Sequence, residues 1–296
     1  MIIYNKLFHN TNEMKDFVSL RENKFKSQTE TIADLIAENE NIKIITLSGP
    51  SCAGKTTSSY ILQNTLEKGY GIDSKIISID NFFKNREHLF KQKNPDFESI
   101  DAIDFEYFKL CVNNILNGKK TELPIYNFIT GEREAVYDLY IPHKNGVIIF
   151  EGIQAMYPEI TAILPYDKTA SIYIDILDDV YAYGSLFSRR DIRFYRRLVR
   201  DFKFRGADVS KTLYLWKNVL KNEEKNIFPY SFSAKYSINS SLLYEINVIK
   251  SFLFDLLSSD AENKELHEKI YEKFKNVPDI PADFVPKDSV FREFIG

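Results

Sequence analysis

The chain has few cysteines, almost no charge imbalance and no long apolar run, and each of these absences narrows its class. Only two of the 296 residues are cysteines, which excludes a disulfide framework and predicts a reducing, cytoplasmic setting. The formal net charge of −3 provides no general positive field to attract nucleic acid or a membrane surface. No segment approaches the ~18 consecutive apolar residues of a membrane span, and the N-terminus lacks the pattern of an export signal. We therefore expect a globular cytoplasmic protein without a nucleic-acid or membrane partner.

The chain does contain enough apolar residues for a large core. Hydrophobic residues make up 44% of it, with 23 Phe and 18 Tyr, which is ample for burial on both sides of a sheet. Short apolar runs lie at residues 42–47, 75–79, 146–150 and 171–176, and helical patterns lie at about 105–117, 190–204 and 240–257. Buried strands that alternate with helices predict an α/β fold with a parallel sheet covered on both faces.

Three segments are predicted along the chain. Residues 1–40 are a mostly polar helical extension, and residues 41–257 form the main α/β domain. Residues 258–296 comprise a polar helix and a tail with three prolines, which we expect to run extended over the surface.

Residues 49–56 match the phosphate-binding pattern G-x-x-x-x-G-K-[ST] between a predicted strand and a predicted helix. In this context the backbone N–H groups curl around phosphate oxygens, and the helix N-terminus adds its positive dipole end. Lys55 is predicted to reach the β- and γ-phosphates, and the Thr56 hydroxyl to bind Mg²⁺. The predicted nucleotide-binding residues here are Gly49, Pro50, Ser51, Cys52, Ala53, Gly54, Lys55, Thr56 and Thr57.

Two acidic residues follow apolar runs at the strand ends where ligands bind in open parallel sheets. Asp80 can accept a proton from an attacking hydroxyl while the γ-phosphate is held in line. The alternative is that Asp80 caps the next helix. Glu151 is predicted to hold Mg²⁺ directly or through water. A phosphate loop fits an ATPase, a GTPase or a small-molecule kinase, and the chain lacks the Asn-Lys-x-Asp segment with which a GTPase reads its base.

Seven arginines are concentrated in residues 189–205. Positions 189, 193, 196 and 200 fall on one helical face, which predicts a helical lid, at about 188–206, that closes a positive stripe over the triphosphate. An ordinary solvated face with internal salt bridges to Asp191 and Asp201 is the first alternative. RNA binding is a weaker one, because the chain has negative net charge and no aromatic stacking platform.

Several longer motifs occur together between residue 42 and the C-terminus. They are Ser-Ile-Asp-Asn-Phe-Phe at 78–83, an acidic motif at 96–104, a hairpin motif at 123–133, an arginine motif at 196–206, and further segments at 223–230, 239–245 and 292–296. This set resembles the uridine kinase and phosphoribulokinase superfamily, and most closely a bacterial-type nucleoside kinase branch of it.

The resemblance implies a P-loop kinase that uses ATP, or GTP, with Mg²⁺ to phosphorylate a primary hydroxyl, foremost the 5′-OH of a nucleoside. Asp80 would be the general base, and Lys55, Arg197 and Arg200 would act in catalysis. Arg205 would join the nucleotide site. The implied substrate-binding residues are Asp80, Phe83, Asp101, Tyr126 and Arg197.

Two departures from the superfamily pattern limit what the resemblance implies about specificity. Gly131 stands where uridine kinases place a base-recognising His, so a pyrimidine preference is not implied. Lys235 replaces an Asp that usually precedes the last strand. A kinase for another hydroxyl metabolite, such as a sugar phosphate or a pantothenate-like acid, and a nucleotide-sensing module without an acceptor stay as alternatives. A homo-oligomer also stays open.

Overall fold

The computed structural model describes residues 1–85, 87, 100–127, 130–135, 137–143 and 145–296. The strands, in chain order, are β1 Ile2–Tyr4, β2 Ile44–Ser48, β3 Ser74–Ser78, β4 Thr121–Leu123, β5 Tyr126–Asn127, β6 Glu132–Arg133, β7 Asp138–Tyr140, β8 Val147–Glu151, β9 Thr169–Asp175, β10 Val180–Ala182, β11 Ser185–Phe187 and β12 Tyr236–Asn239. The α-helices are α1 Thr11–Ala37, α2 Lys55–Tyr70, α3 Phe105–Leu116, α4 Pro158–Thr161, α5 Arg189–Arg205, α6 Val209–Asn222, α7 Phe228–Ser231, α8 Glu245–Ser258, α9 Lys264–Phe274 and α10 Arg292–Ile295. Within these ranges no helix is both long and apolar enough to cross a membrane.

A five-stranded parallel sheet in the order β12-β9-β2-β8-β3 lies at the centre of the fold. Strands β2 and β8 are buried at every position, as expected where helices cover both faces of a sheet. Ile45 packs in a core cluster with residues of α1, α2, α5 and α8, whereas its neighbour Ile44 packs in a second cluster with residues of α3. The predicted α/β class with helices on both faces is confirmed, and strands β5 and β6 form the predicted small hairpin.

The N-terminal extension is one long helix preceded by a short strand. Helix α1 has 27 residues, and its Phe17, Phe25 and Ile36 lie in the same core cluster as the sheet. Gln28 donates to the Asn239 carbonyl in β12 at 3.2 Å. The strand β1 was not predicted, because it depends on parallel pairing with β10 and carries little signal of its own.

The prediction that the C-terminal tail runs over the surface is wrong for its last residues. Phe291 and Phe294 are 0% exposed, and Ile295 is 1% exposed, within the same core cluster as the sheet. A 3₁₀ turn, Ala282–Phe284, lies among the prolines, and Ile280 and Val285 are already buried before α10 begins. Burial of this apolar surface holds the tail against the rest of the chain.

Candidate active site

The phosphate loop connects β2 to α2 through two backbone positions in the left-handed region. Gly54, at the N-cap of α2, has φ 89°, and Cys52 has φ 61°. Gly49 has a different constraint, because a Cβ there would lie 2.0 Å from the Ile174 carbonyl oxygen. The loop therefore needs its glycines for close approach and for backbone shape. The Lys55 ammonium donates to the Pro50 carbonyl at 3.1 Å, so it lies over its own loop, and Thr56 is exposed at the start of α2.

Asp80 and Glu151 lie at the carboxyl ends of the adjacent strands β3 and β8. Ser78 is opposite Glu151 in the β-ladder, and Asp80 follows two residues later in a 3₁₀ turn, Ile79–Phe82. Asp80 is half-buried, and within the described residues its carboxylate caps no helix and makes no hydrogen bond to protein.

The charges of Lys55, Asp80 and Glu151 act on one another. Burial raises the pKa of Asp80, and the positive charge of Lys55 opposes that shift. Burial likewise raises the pKa of Glu151 to about 7, with Lys55 opposing and the Asp80 charge adding to the rise. Lys55, Asp80 and Glu151, predicted from separate motifs, therefore share one edge of the sheet.

Two arginines of the expected positive stripe are buried structural residues. Arg193 and Arg196 are both 0% exposed. Arg193 forms an ion pair with Asp175 at 3.2 Å. Both terminal nitrogens of Arg193 also donate hydrogen bonds to the Glu223 carboxylate. Arg196 pairs with Glu245 through two bonds, at 2.6 and 3.0 Å. A positive stripe of residues 189, 193, 196 and 200 facing a ligand is thus wrong, because two of the four charges are neutralised inside the protein.

These two buried arginines of α5 donate hydrogen bonds to backbone carbonyls of the phosphate loop. Arg193 donates to the Ser51 carbonyl at 3.2 Å, and Arg196 donates to the Cys52 carbonyl at 3.1 Å. Consecutive carbonyls of the loop are therefore turned toward helix α5. Residues 192–201 of this helix are all buried, so its middle is part of the core and its two ends lie at the surface.

The three arginines predicted to act on the nucleotide or the substrate converge on Asp201. Arg197 contacts Asp201 at 3.1 Å, Arg200 at 2.8 Å and Arg205 at 3.6 Å. Arg197 also donates to the Ser51 hydroxyl at 2.9 Å, which places it at the phosphate loop. Asp201 is 2% exposed, so one buried carboxylate orients three guanidinium groups beside the loop.

Most of the residues expected to bind the acceptor lie near the Asp80 turn, whereas Arg197 lies elsewhere. Phe83 follows the Asp80 turn, and its ring meets that of Tyr126 edge to face, with centroids 5.5 Å apart. Asp101 is exposed in a 3₁₀ turn, where Lys84 donates to its carbonyl. Arg197 lies at the phosphate loop instead. The predicted motif residues 96–99, 128 and 129 fall outside the described residues.

Arg133 is a positioning residue that is not among the predicted site residues. Its guanidinium donates to the carbonyls of Phe82 and Phe83, each at 3.0 Å, and pairs with Asp104 at 3.0 Å. It thereby fixes the backbone that carries Asp80 and Phe83. A sequence signal was present, since Arg133 is the last residue of the hairpin motif at 123–133.

Glu293 in the C-terminal tail also reaches the loop region. Its Oε2 accepts the hydroxyl of Thr57 at 3.1 Å. A Cβ at Gly54 would lie 2.4 Å from the Val290 Cγ2, so the tail closely covers the loop glycine. Sequence patterns gave no sign of these contacts.

The site offers oxygen ligands for a metal ion only in combination with other groups. No group of three His, Cys, Asp or Glu side chains arranged to hold a metal occurs in the described part of the chain. The Thr56 hydroxyl and the carboxylates of Asp80 and Glu151 are the hard oxygen donors that suit Mg²⁺. Mg²⁺ usually completes its shell with phosphate oxygens and waters, so this donor set fits it.

A cleft of about 470 Å³ lies beside β9 and β12, where Asp175, Arg189 and Lys235 contribute to its lining. It does not include Lys55 or Asp80. The predicted reacting groups therefore lie outside this cleft, which brings Lys235 near Arg189 at the start of α5.

The fold and the phosphate loop define an α/β P-loop protein. The chain belongs to the Phosphoribulokinase / Uridine kinase family, because the model of that family matches residues 44–241, about two thirds of its length. The membership predicted from the motifs is confirmed.

Known relatives agree with this membership. A uridine kinase from Saccharomyces cerevisiae is 28% identical over 210 residues, which cover 67% of this chain and 36% of that protein. A uridine kinase from Schizosaccharomyces pombe is 27% identical over 258 residues, which cover 82% of this chain and 51% of that protein. The chain thus spans about a third to a half of the length of these two relatives.

A solved structure supports the fold. A candidate fructose transport system kinase from Silicibacter sp. TM1040 superposes with a TM-score of 0.53 at 17% identity, over 71% of this chain and 98% of that one. At this identity the similarity concerns the fold alone.

Proposed function

We propose that this protein is a kinase that transfers the γ-phosphoryl group of ATP to a hydroxyl of a small acceptor, foremost the 5′-OH of a nucleoside. The observation that carries the proposal is the half-buried Asp80 carboxylate within electrostatic reach of Lys55, at the strand ends next to the phosphate loop. An ATP-binding module without an acceptor has no need of a base at this position, whereas phosphoryl transfer to a hydroxyl does.

The donor is held by the phosphate loop in this proposal. Backbone N–H groups of residues 49–57, other than Pro50, bind phosphate oxygens, and Lys55 leaves the Pro50 carbonyl to reach the β- and γ-phosphates. Arg197 and Arg200, oriented by Asp201, stabilise charge on the transferring group. Arg205 is 58% exposed and contributes from the last turn of α5.

Mg²⁺ is the metal that the donor set fits, held by the Thr56 hydroxyl and Glu151 together with the phosphates. When bound, it neutralises phosphate charge and helps to align the γ-phosphoryl group. Glu151 is 8% exposed, and its burial, together with the charges of Asp80 and Glu293, raises its pKa against the opposing charge of Lys55.

The acceptor lies on the side of Phe83 and Tyr126 in this proposal. Their edge-to-face rings are each 6% exposed, and they would back the acceptor side next to the Asp80 turn with apolar surface that suits a planar base or a sugar face. Arg133 fixes that wall through the carbonyls of Phe82 and Phe83. Asp80 takes the proton of the attacking hydroxyl as its oxygen bonds to the γ-phosphorus, while the bond from that phosphorus to the β–γ bridging oxygen breaks and ADP leaves.

The test is a screen of purified protein with ATP and Mg²⁺ against nucleosides, sugar phosphates and pantothenate-like acids, with ADP release and product mass as readouts. We expect phosphorylation of at least one nucleoside. A Lys55→Ala variant should lose this turnover, because the β- and γ-phosphates lose their side-chain cation, whereas Lys68→Ala, exposed near the end of the same helix, should keep it.

Each other result leads to a different conclusion. Turnover of a sugar phosphate or an acid alone would replace the nucleoside with that acceptor. ATP hydrolysis or binding that no acceptor stimulates would overturn the kinase assignment in favour of a nucleotide-sensing module.

A further inference from the structure

Glu293 lies against the first turn of the helix that follows the phosphate loop. Its Oε2 accepts the Thr57 hydroxyl at 3.1 Å and lies 3.5 Å from the Thr57 backbone nitrogen. Thr57 follows Lys55 by two residues, and its N–H belongs to the row of donors that the proposed function assigns to phosphate. A carboxylate is thus held by groups that suit any anion at a helix N-terminus.

The backbone around Glu293 is fixed by contacts on both sides. Val290 covers Gly54, as its closeness to a Cβ at that glycine indicates. The Phe294 ring lies under the Arg196 guanidinium, with 4.9 Å from the guanidinium carbon to the ring centroid. Lys203 donates to the Ile295 carbonyl. Since Glu293 itself is only half-buried, its side chain can rotate away from Thr57 while the tail stays in place.

The charge of Glu293 affects the pKa of a residue at the proposed reaction centre. Burial is the main cause that raises the pKa of Glu151, and the charges of Asp80 and Glu293 both add to that rise. Three carboxylates therefore lie within electrostatic reach of one another, with Lys55 opposing them. A triphosphate that binds here therefore encounters the Glu293 carboxylate, which already contacts the first turn of α2.

We propose that Glu293 is a built-in competitor for the phosphates of the donor. A phosphate oxygen and the Glu293 carboxylate cannot both accept the Thr57 N–H, so donor binding displaces Glu293 from Thr57. The C-terminal tail thereby sets the donor affinity, and it does so through the phosphates, independently of the base. This inference rests on the proposed function only in that a donor triphosphate binds the phosphate loop.

The test is isothermal titration calorimetry of wild type, Glu293→Gln and Glu293→Ala, without any acceptor. ATP, GTP and inorganic tripolyphosphate are the ligands, each with Mg²⁺. We expect both variants to bind all three more tightly by a common factor of roughly 2- to 30-fold, the range set by anion interactions at helix N-termini. The matched control is Asp283→Asn, which removes one charge from an exposed position in the same tail and should change the affinity less than 2-fold. Melting temperatures identify any variant that fails to fold.

Unchanged or weaker binding in the folded Glu293 variants would overturn the inference, because Glu293 would then support the loop. A gain for ATP that tripolyphosphate lacks would also overturn it, since the carboxylate would then act on the nucleoside. The measurement is separate from turnover, so a protein inert toward every acceptor would overturn the proposed kinase and leave a gain in donor affinity as support. Absence of binding by all three ligands would overturn both.

Discussion

Arg196 donates to the carbonyl of Cys52 at 3.1 Å, although the two residues are 144 positions apart in the chain. Cys52 is a non-glycine residue at φ 61°, a conformation that costs of order 1 kcal/mol and persists only where the surroundings hold it. Arg196 is itself held by two bonds to Glu245. A buried ion pair thus helps to set the backbone shape on which the proposed phosphate site depends.

Arg196→Lys should therefore harm the loop even though it keeps the positive charge. A lysine cannot bind Glu245 with two nitrogens and still reach Cys52, so we expect a loss of about 3 kcal/mol in the free energy of unfolding. We also expect donor affinity to fall by about tenfold or more, as the loop loses its fixed shape. Urea unfolding and calorimetry measure the two effects. Arg190→Lys, in an exposed pair with Glu224, is the control and should change neither.

Asp80→Asn tests the proposed base with little change of shape. The amide cannot take a proton, so kcat should fall by roughly 10²–10⁴-fold, while donor and acceptor affinities are retained. Steady-state kinetics with the acceptor found in the screen provides the readout. A near wild-type kcat would mean that another group is the base. Loss of folding would instead favour the alternative that Asp80 caps a helix, although the described residues show no such capping contact.

Arg200→Ala tests whether the arginines at Asp201 act in the transition state. Its side chain is 10% exposed, and Asp201 keeps Arg197 and Arg205 as partners after the change, so the fold should survive. We expect kcat to fall by on the order of 10²-fold, with donor affinity less affected. An equal loss of donor affinity would make Arg200 a ground-state binding residue only. Arg190→Ala at the start of the same helix is the matched control.

Glu151→Gln should make the protein more stable and less active. The pKa of Glu151 is about 7 in the folded protein against its ordinary value of 4.5, so the folded state holds its proton more tightly than the unfolded state. Its contribution is favourable below pH 4.5 and is lost as the pH rises through about 7. A glutamine side chain does not ionise, so the variant does not lose stability in this way as the pH rises. The variant should exceed wild type above pH 7 by about 1–3 kcal/mol, with the difference shrinking toward pH 5.

Scanning calorimetry without nucleotide at pH 5 and pH 8 checks this sign. A stability difference that does not depend on pH would contradict the assignment of the shift to Glu151. In turnover, the same variant should need more Mg²⁺ for half-maximal rate, because one oxygen ligand is lost.

Phe294→Ala tests whether the tail belongs to the core. Phe294 is 0% exposed and lies under Arg196, so truncation should cost about 3–5 kcal/mol in the free energy of unfolding. Phe232, 92% exposed, is the matched control, and Phe232→Ala should change stability by less than about 0.5 kcal/mol. If chemical denaturation shows that both changes lower the free energy of unfolding by the same small amount, the tail does not belong to the core.

The sequence by itself determined four of the five strands of the sheet, the phosphate loop and the two carboxylates at the strand ends, but it did not predict β12. The predicted apolar runs match β2, β3, β8 and β9 to within about two residues at each end. These features depend on local patterns, because a buried parallel strand is apolar throughout and the loop has a fixed spacing of glycines and lysine. The positions of Asp80 and Glu151 follow from where their strands end.

Only the tertiary structure decided what the arginines and the tail do. A helical repeat places Arg193, Arg196 and Arg200 on one face, but it does not reveal that Glu223 and Glu245 lie there to neutralise two of them. Likewise Glu293 meets Thr57 across 236 positions of sequence. Burial of a charge and pairing across such distances depend on which elements pack together, and that is a property of the whole fold rather than of any segment.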